Sequence, residues 1–573
     1  MNRTLIQKHF HLFVLIFVSL IILVSHTIYT VQTQQYPEMD EQNYMDMVSG
    51  YYKILQSPSL DSPARIIQYL PYRQPGYPIL VLPILLIFGL SYSYKIMLFA
   101  NVFFYIGTLW TVYGIARNYF SKTSSLLSSL LFATYGWSLF YLHFTYSETA
   151  TTFFTTAAIY YLLQTKSFSL KNPTILFGIT FGLALLTRWV SILFVTGPLV
   201  VLLANKKLYS KKFFKKHIKV LVASLVLVLL FGVWPYILNI SDFFGTYVDK
   251  QMFGGSLWTL VPQEQKHHIS LQSAAYYFKV FEQLSIFHFL LFLSGGILLV
   301  WKRKGKMSLI LAFLIPYLAF SFATIIKADR YIVPIYPIMA IISVVPLDMI
   351  KRKILKQLLI AGIVILCTFS FFGSVWGIGP MGRGLTSLLI PMPIGHPRYV
   401  HLSSIVWPPT SEQTNARKLF ESLDERVGKE NNAQILLLFS YHPIDNPIYS
   451  LNKHHTLTPL NISNFVSMGV PSFKSSGNYS YQLFSKSEIV VTKSGVTADN
   501  YFGENAYKHL LAVNSAMKVY PKILDYFEKV ETIRVPKDNS ILNIYKRKKE
   551  IPNDILTEFS NEVQKQYQAS SSL

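Results

Sequence analysis

Long apolar stretches recur between residues 11 and 376 and are separated by short polar segments. Several reach the ~20 residues that a helix needs to cross a hydrocarbon core. The apolar runs are continuous, whereas the strands of a closed barrel would alternate apolar and polar residues. We therefore predict a polytopic α-helical membrane protein of about 11 transmembrane helices, near residues 11–31, 96–116, 124–142, 149–165, 173–187, 189–205, 219–239, 286–301, 308–326, 331–349 and 357–376.

Two apolar segments need a separate interpretation. Residues 77–90 are short and bracketed by prolines, and a crossing there would turn every later Lys-rich loop to the outside. We interpret this segment as re-entrant or interfacial. Residues 11–31 are too long for a typical signal-peptide core and lack an A-x-A cleavage site, which favours a retained signal anchor.

The pattern changes in the last third of the chain, where short apolar runs alternate with amphipathic ones. These predict buried strands, amphipathic helices and a closing hairpin, and hence a small α/β domain. The predicted elements are a helix at 414–427, strands at 433–442 and 487–495, a helix at 516–530 and the hairpin at 531–548. We predict a membrane domain at 1–376, the α/β domain at 377–550 and a polar, disordered tail at 551–573.

The composition agrees with a membrane protein, since only 14% of the residues are charged and 51% are hydrophobic. A net charge of +23 would suggest a nucleic-acid partner if it were spread over one surface. It is concentrated instead in short loops between spans, as in Arg117/Lys122, residues 205–219, 301–306 and 351–356. Such loops are typically cytoplasmic. We therefore exclude nucleic acid and predict a plasma membrane protein with a cytoplasmic N-terminus and an extracytoplasmic C-terminal domain.

This topology gathers acids and isolated arginines on the outer face. They are Asp40, Glu41, Arg73, Glu148, Arg188 and Arg330. The asymmetry predicts a reaction site there. Cys367 is the only cysteine, so an intramolecular disulfide is excluded.

The first outer loop, residues 32–76, holds Asp40-Glu41 near one end and Arg73 near the other. A carboxylate acts as a general base when it is held near an acceptor hydroxyl. A guanidinium binds a phosphate bidentately and stabilises its leaving charge. The alternative, to which the composition gives equal weight, is a solvated acidic loop with a structural Arg-Gln-Pro turn.

Three later charges and a glycine pair also have two interpretations each. Glu148 lies where one span turns into the next, which indicates a functional site or a helix start suited to the dipole. Arg188 and Arg330 bind a lipid phosphate at the boundary, or extend to the interface as structural residues. Gly178 and Gly182 form a small-xxx-small pair typical of helix packing.

Other kinds of site find no support. The histidines at 267–268, 396, 401 and 454–455 lack zinc-ligand spacing and nearby carboxylates, so we assign them no metal. The chain has neither a Gly-rich phosphate loop in a βαβ context nor a G-x-S-x-G elbow, which disfavours a nucleotide-using enzyme.

Five motifs in order resemble those of the GT-C glycosyltransferases, which include protein O-mannosyltransferases and the aminoarabinose transferases of lipid A. Asp40-Glu41-Gln42-Asn43-Tyr44, with Gly50 following, resembles the first-loop motif. Residues 73–78, "RQPGYP", resemble the basic-Pro-Pro-Leu-Tyr segment, with Gly76 in place of a bulkier residue. The other three motifs are "YSETATTFF", "GLALLTR" and "DRYIVPIYP". Taken in order, the five motifs extend the resemblance over about residues 1–350.

The resemblance implies a GT-C-like fold and an inverting membrane enzyme whose donor is a polyprenyl-phosphate sugar. By position, Asp40 deprotonates the acceptor and Glu41 orients the acceptor or the sugar. Arg73 and Arg330 bind the donor phosphate. The remaining cavity residues are Tyr44, Glu148, Arg188 and Tyr331. No cofactor follows with certainty, because GT-C enzymes differ in their use of a divalent cation.

We therefore expect a glycosyltransferase that moves a hexose or pentose to an extracytoplasmic glycan, lipid or protein. One alternative is a transporter or lipid-carrier flippase, which would show paired halves and charges near mid-membrane. Another is a sensor or assembly scaffold whose external domain binds a ligand.

Overall fold

The structure is a computed structural model of the 573-residue chain. It describes residues 3–32, 39–70, 73–90, 93–205, 209–242, 277, 286–301, 306–322, 329–376, 387–390, 398–401, 419, 422–423, 434–438, 465–467, 484–494, 504–535 and 540–571. The chain divides into two compact units. The first comprises Met1–Thr33, Asn43–Trp258 and Gln263–Pro409, and the second Gln34–Gln42, Thr259–Pro262 and Thr410–Leu573.

The first unit is built of helices. In chain order they are α1 (Arg3–Gln32), α2 (Met39–Gln56, whose first turn groups with the second unit), α3 (Ser62–Gln68), α4 (Gly76–Phe88), α5 (Ser93–Ala116), α6 (Lys122–Ala133), α7 (Gly136–Leu142), α8 (Glu148–Gln164), α9 (Lys171–Thr187), α10 (Ser191–Leu203), α11 (Lys211–Val228), α12 (Trp234–Leu238), α13 (Ile240–Asp242), α14 (Ile286–Trp301), α15 (Met307–Phe322), α16 (Tyr336–Ser343), α17 (Val345–Met349) and α18 (Lys353–Trp376). A π-helix, Leu229–Val233, joins α11 to α12, and a 3₁₀ helix, Asp329–Ile335, precedes α16. A two-stranded antiparallel pair follows, β1 (Ser387–Ile390) and β2 (Arg398–His401).

Each predicted span overlaps one or more of these helices, which confirms a multi-pass helical protein. Five described helical stretches are long and apolar enough to cross a membrane: His9–Gln32, Ser93–Ala116, Lys215–Leu238, Arg330–Met349 and Lys353–Trp376. The span predicted at 124–142 is a pair, α6 and α7, bent by 60°. Four shorter apolar helices include α4, the segment interpreted as re-entrant.

Glycines allow several of these helices to touch. A Cβ on Gly178 would lie 2.6 Å from the Ser224 carbonyl oxygen, and one on Gly182 would lie 3.0 Å from that of Leu227. The prediction that this small-xxx-small pair packs helices is therefore confirmed, with α11 as the neighbour. Gly197 in α10 approaches the backbone of Leu311 in α15 in the same way.

The second unit contains a five-stranded mixed sheet of order β4-β3-β5-β7-β6. The strands are β3 (Gln434–Leu438), β4 (Phe465–Ser467), β5 (Ser487–Lys493), β6 (Phe527–Val535) and β7 (Ser540–Arg547). β3 pairs in parallel with β4 and β5, and β7 pairs antiparallel with β5 and β6. The same unit contains the helices α19 (Glu504–Val519) and α20 (Asn553–Ser571). The predicted strands at 433–442 and 487–495 and the hairpin are confirmed.

Two predictions for this unit are wrong. Residues 516–530 do not form one helix, because Pro521 follows the end of α19, begins a 3₁₀ turn and leads directly into β6. Residues 551–573 are not disordered, since most of them form α20. Leu556, Phe559 and Val563 recur at helical spacing and are at most 2% exposed, so a narrow apolar stripe holds this otherwise polar helix. Most of the helix predicted at 414–427 lies outside the described residues.

Candidate active site

Helix α2 presents one buried face. Glu41, Tyr44, Val48 and Tyr51 follow each other at three- and four-residue spacing, and all are at most 4% exposed. The Tyr44 hydroxyl donates a hydrogen bond of 2.9 Å to Ser147 Oγ. This bond ties the first loop to the start of α8, 103 residues later in the chain. Asp40 lies in the first turn of α2, but its side chain is outside the described residues.

Glu148 is the first residue of α8 and Ser147 is its N-cap, so the prediction of a helix start at this acid is confirmed. The Glu148 side chain is only 2% exposed. Neighbouring polar contacts brace the segment before it. Asn101 Nδ2 donates to the Phe144 carbonyl at 2.6 Å, and Thr149 Oγ1 donates to the Tyr141 carbonyl at 2.9 Å. The carboxylate is thus placed at the positive end of the helix dipole in a rigid surrounding.

Two arginines from distant parts of the chain converge on one oxygen of Glu148. Arg188, at the C-cap of α9, donates from Nη1 to Glu148 Oε1 at 2.9 Å. Arg330 Nε lies 4.0 Å from the same oxygen. Within the described part of the chain, no group hydrogen-bonds to the buried Oε2. A buried carboxylate therefore holds two guanidinium groups side by side.

Aromatic rings fix the planes of both guanidinium groups. Tyr331 lies against both, with its ring centre 5.1 Å from Cζ of Arg188 and 5.6 Å from Cζ of Arg330. Tyr146 lies 5.9 Å from Cζ of Arg330. These distances are those of cation–π contacts, and they restrict the arginines to defined orientations.

Arg73 lies three residues before Gly76, the first residue of α4. A Cβ on Gly76 would lie 2.5 Å from the carbonyl of Leu186 and from the nitrogen of Thr187. Only glycine permits this approach, so the Arg73 segment runs beside the end of α9, where Arg188 follows. The departure from the family motif at this position thus has a packing reason.

The electrostatics of Tyr44 link these charges. Burial raises the pKa of Tyr44 above its usual value, and the Glu148 carboxylate raises it further. Arg188 and Arg73 act in the opposite direction on the same pKa. Glu148, Arg188 and Arg73 therefore all lie within electrostatic range of Tyr44, which is buried in a region where charges are poorly screened.

This arrangement suits an anion with several oxygen atoms. Guanidinium groups with fixed planes bind phosphate by paired hydrogen bonds. Arg188 is 12% exposed and already bonded to Glu148, whereas Arg330 is 25% exposed and beyond hydrogen-bond distance of that carboxylate. Arg330 is thus the more accessible cation of the pair.

The described residues contain no group of three or more His, Cys, Asp and Glu side chains suited to a metal. His267-His268, His396 and His454-His455 lie outside the described residues, as does the side chain of His401. The prediction that these histidines hold no metal stays a prediction.

The structure brings together five of the predicted site residues, namely Tyr44, Glu148, Arg188, Arg330 and Tyr331, and places Arg73 nearby. Asp40 and Glu41 group with the second unit, so their roles stay predictions from the sequence. Ser147 and Tyr146 were not predicted as site residues. Their position directly before Glu148 in "YSE" was the available signal.

Comparisons with known proteins agree with this architecture. Residues 75–236 match the family described as dolichyl-phosphate-mannose-protein mannosyltransferase. No curated protein sequence matches the chain.

Two solved structures are similar. ArnT from Cupriavidus metallidurans, bound to undecaprenyl phosphate, superposes with a TM-score of 0.51 at 12% identity and covers 94% of this chain and 98% of its own. The oligosaccharyltransferase AglB from Archaeoglobus fulgidus, in complex with an inhibitory peptide and a dolichol-phosphate, gives 0.45 at 13% identity over 96% and 75%. Together with the family match, the superposition on ArnT confirms the resemblance found in the motifs, and the chain has a GT-C-like fold.

Proposed function

We propose that this protein is an inverting glycosyltransferase that moves a sugar from a polyprenyl-phosphate donor to an extracytoplasmic acceptor. The acceptor hydroxyl or amine attacks the anomeric carbon and forms the new glycosidic bond. The bond from that carbon to the phosphate oxygen breaks, and the electron pair leaves with the polyprenyl phosphate. The acceptor proton passes to a carboxylate, for which Asp40 is our candidate, with Glu41 as an orienting residue.

The observation that carries this proposal is the pair of arginines held by Glu148 and Tyr331. A leaving phosphate gains negative charge as the sugar departs, and preorganised cations stabilise that charge most in a site that excludes water. In this proposal Arg330, the more exposed of the two arginines, contacts the phosphate. Arg73, which acts electrostatically on Tyr44, supplies a further cation. The region lies at helix ends, where a lipid-linked phosphate would arrive.

Several further features support the proposal. The matched family is described by a lipid-phosphate sugar donor, and ArnT was crystallised with a polyprenyl phosphate. The matched family is described as a transferase and not as a transporter. We propose a plasma membrane location with the site outside, and a hexose or pentose as the sugar. The acceptor is a glycan, a lipid or a protein.

Arg330→Gln tests the role of the guanidinium. The purified full chain is given radiolabelled polyprenyl-phosphate sugars and candidate acceptors, and label transfer is followed. The variant should raise KM for the donor and lower kcat, whereas Arg330→Lys should recover part of the loss because it restores the charge. Arg352→Gln removes an exposed arginine elsewhere and serves as the matched control. Equal kinetics for Arg330→Gln and the control would contradict the phosphate role.

Asp40→Asn tests the base separately. We expect a loss of kcat of at least about 100-fold, the range of general base catalysis, with little change in donor binding. Equal turnover by the variant and wild type would remove Asp40 from the mechanism. Absence of transfer with any donor, together with substrate flux in protein-containing vesicles, would favour the transporter.

A further inference from the structure

A pocket lies between α2 and α3, and its lining does not include Arg188 or Arg330. Its volume is about 440 Å³. It is lined by Gly50, Lys53, Ile54, Arg65, Gln68 and Tyr69. All six residues belong to the first unit; Tyr69 directly follows α3, and the other five lie in α2 and α3.

A glycine and a tyrosine shape this pocket. A Cβ on Gly50 would lie 2.3 Å from Cζ of Tyr69, so the ring rests directly on the backbone of α2. The other surface of the ring is open, since Tyr69 is 45% exposed. Tyr51 contacts the ring of Tyr69 edge-on, with the ring centres 6.1 Å apart. Asn239 Nδ2 donates a hydrogen bond of 3.1 Å to the Ile67 carbonyl, which anchors α3. The pocket therefore has a fixed aromatic wall.

The polar lining is cationic. Lys53 and Arg65 are both exposed, and neither forms an ion pair within the described residues. The nearby Asp61 does not line the pocket, and its carboxylate accepts a hydrogen bond from the Ser59 hydroxyl. This hydrogen bond, assisted by Arg65, holds the pKa of Asp61 below its usual value. Among the described residues, the lining thus offers two cations, the Gln68 amide and an aromatic face, and no carboxylate.

We propose that this pocket binds an anionic saccharide, namely the phosphate- or uronate-bearing part of the acceptor. The inference rests on the proposed function. An exposed aromatic ring stacks on the apolar face of a sugar, the amide hydrogen-bonds its hydroxyls, and the two cations bind the acidic group.

The geometry connects the pocket with the reaction site. Tyr44 and Lys53 lie on the same helix, nine residues and therefore about 14 Å apart along its axis. An acceptor anchored in the pocket by its charged part would extend along α2 towards Glu148 and the arginines. The pocket would then select acceptors by charge without taking part in bond exchange.

Binding by the purified full chain tests the inference independently of turnover. The probes are mannose 6-phosphate, methyl glucuronide and the uncharged methyl mannoside, titrated calorimetrically. The two charged probes should bind at least about tenfold more tightly than methyl mannoside, and a Lys53→Gln/Arg65→Gln double variant should remove most of that difference. Preference for one charged probe over the other would distinguish a phosphate from a carboxylate acceptor. Lys95→Gln, an exposed lysine outside the pocket, should bind as wild type.

Equal binding of charged and uncharged sugars, or equal binding by the double variant and wild type, would overturn the inference. If Arg330→Gln abolished binding and the double variant did not, the anion would occupy the donor site. The pocket proposal would then fail while the proposed function stood. Lys53, Arg65 and Lys95 are all exposed, so these substitutions should not unfold the protein. Lys53→Glu is a second variant, which should weaken the binding of charged probes further because it reverses the charge.

Discussion

The ion pair between Glu148 and Arg188 should couple strongly in a double-mutant cycle. The two side chains are 2% and 12% exposed, and the N–O distance is 2.9 Å. Removing one partner of a buried pair costs about 3–5 kcal/mol, because the other charge stays buried without compensation. Glu148→Gln should fall near the lower end, since Arg188 keeps some exposure. Arg188→Gln should cost about 4 kcal/mol, because it leaves the more deeply buried carboxylate.

The double variant, with glutamine at both positions, should cost much less than the sum of the single variants. We expect a coupling free energy of about 2–3 kcal/mol, well above the roughly 0.5 kcal/mol error of additivity. The free energy of unfolding would be measured by denaturant titration in mixed micelles. Glu528→Gln, which removes an exposed carboxylate from β6, is the matched control and should change it by less than about 0.5 kcal/mol. Additive single variants would refute the view that Glu148 holds Arg188 in place.

Two further predictions concern packing. Gly76→Ala should destabilise the protein by about 1–3 kcal/mol and lower the rate of sugar transfer, because the new methyl group meets the backbone of α9. The control is Gly362→Ala, whose Cβ would have no neighbour within 4 Å and which should be neutral or slightly stabilising in the same unfolding assay. Phe559→Ala should destabilise the second unit by about 3–5 kcal/mol and speed amide hydrogen exchange in residues 553–571. Gln564→Ala, on the exposed face of α20, should exchange at the wild-type rate. Equal exchange in both variants would show that the helix does not depend on its apolar stripe.

The membrane helices were predictable because each span must satisfy its backbone hydrogen bonds internally and bury apolar side chains. The bends and breaks within the spans depend on individual residues. The span at 124–142 contains Thr134 and Gly136 at the bend between α6 and α7, where the hydropathy pattern is continuous. The helix at 553–571 was not predicted because Leu556, Phe559 and Val563 are few among polar residues. These side chains stabilise the helix only when they pack against another apolar surface, which composition does not reveal.

The site could be predicted as a set of residues but not as a geometry. Glu148, Arg188 and Arg330 were identifiable because ionisable residues inside or directly beside an apolar segment on the outer face are few, and a charge buried in the membrane is costly. That both arginines approach the same carboxylate oxygen depends on how α8, α9 and the 3₁₀ helix pack, and no local pattern encodes it. Gly76 is a second example, because the need for glycine at this position follows only from its close approach to the backbone of Leu186.

The contacts of Glu148 bear on two chemical roles proposed for such a carboxylate, general base and positioning residue. A general base must reach the acceptor proton, usually within a hydrogen bond or one water molecule. Glu148 is 2% exposed, and its Oε1 already accepts from Arg188 and faces Arg330. Transfer of a proton to this carboxylate would leave both guanidinium groups without their counter-ion as the phosphate departs. The geometry therefore favours Glu148 as the residue that positions the arginines, which leaves proton removal to another carboxylate, and Asp40 is the one that the sequence indicates.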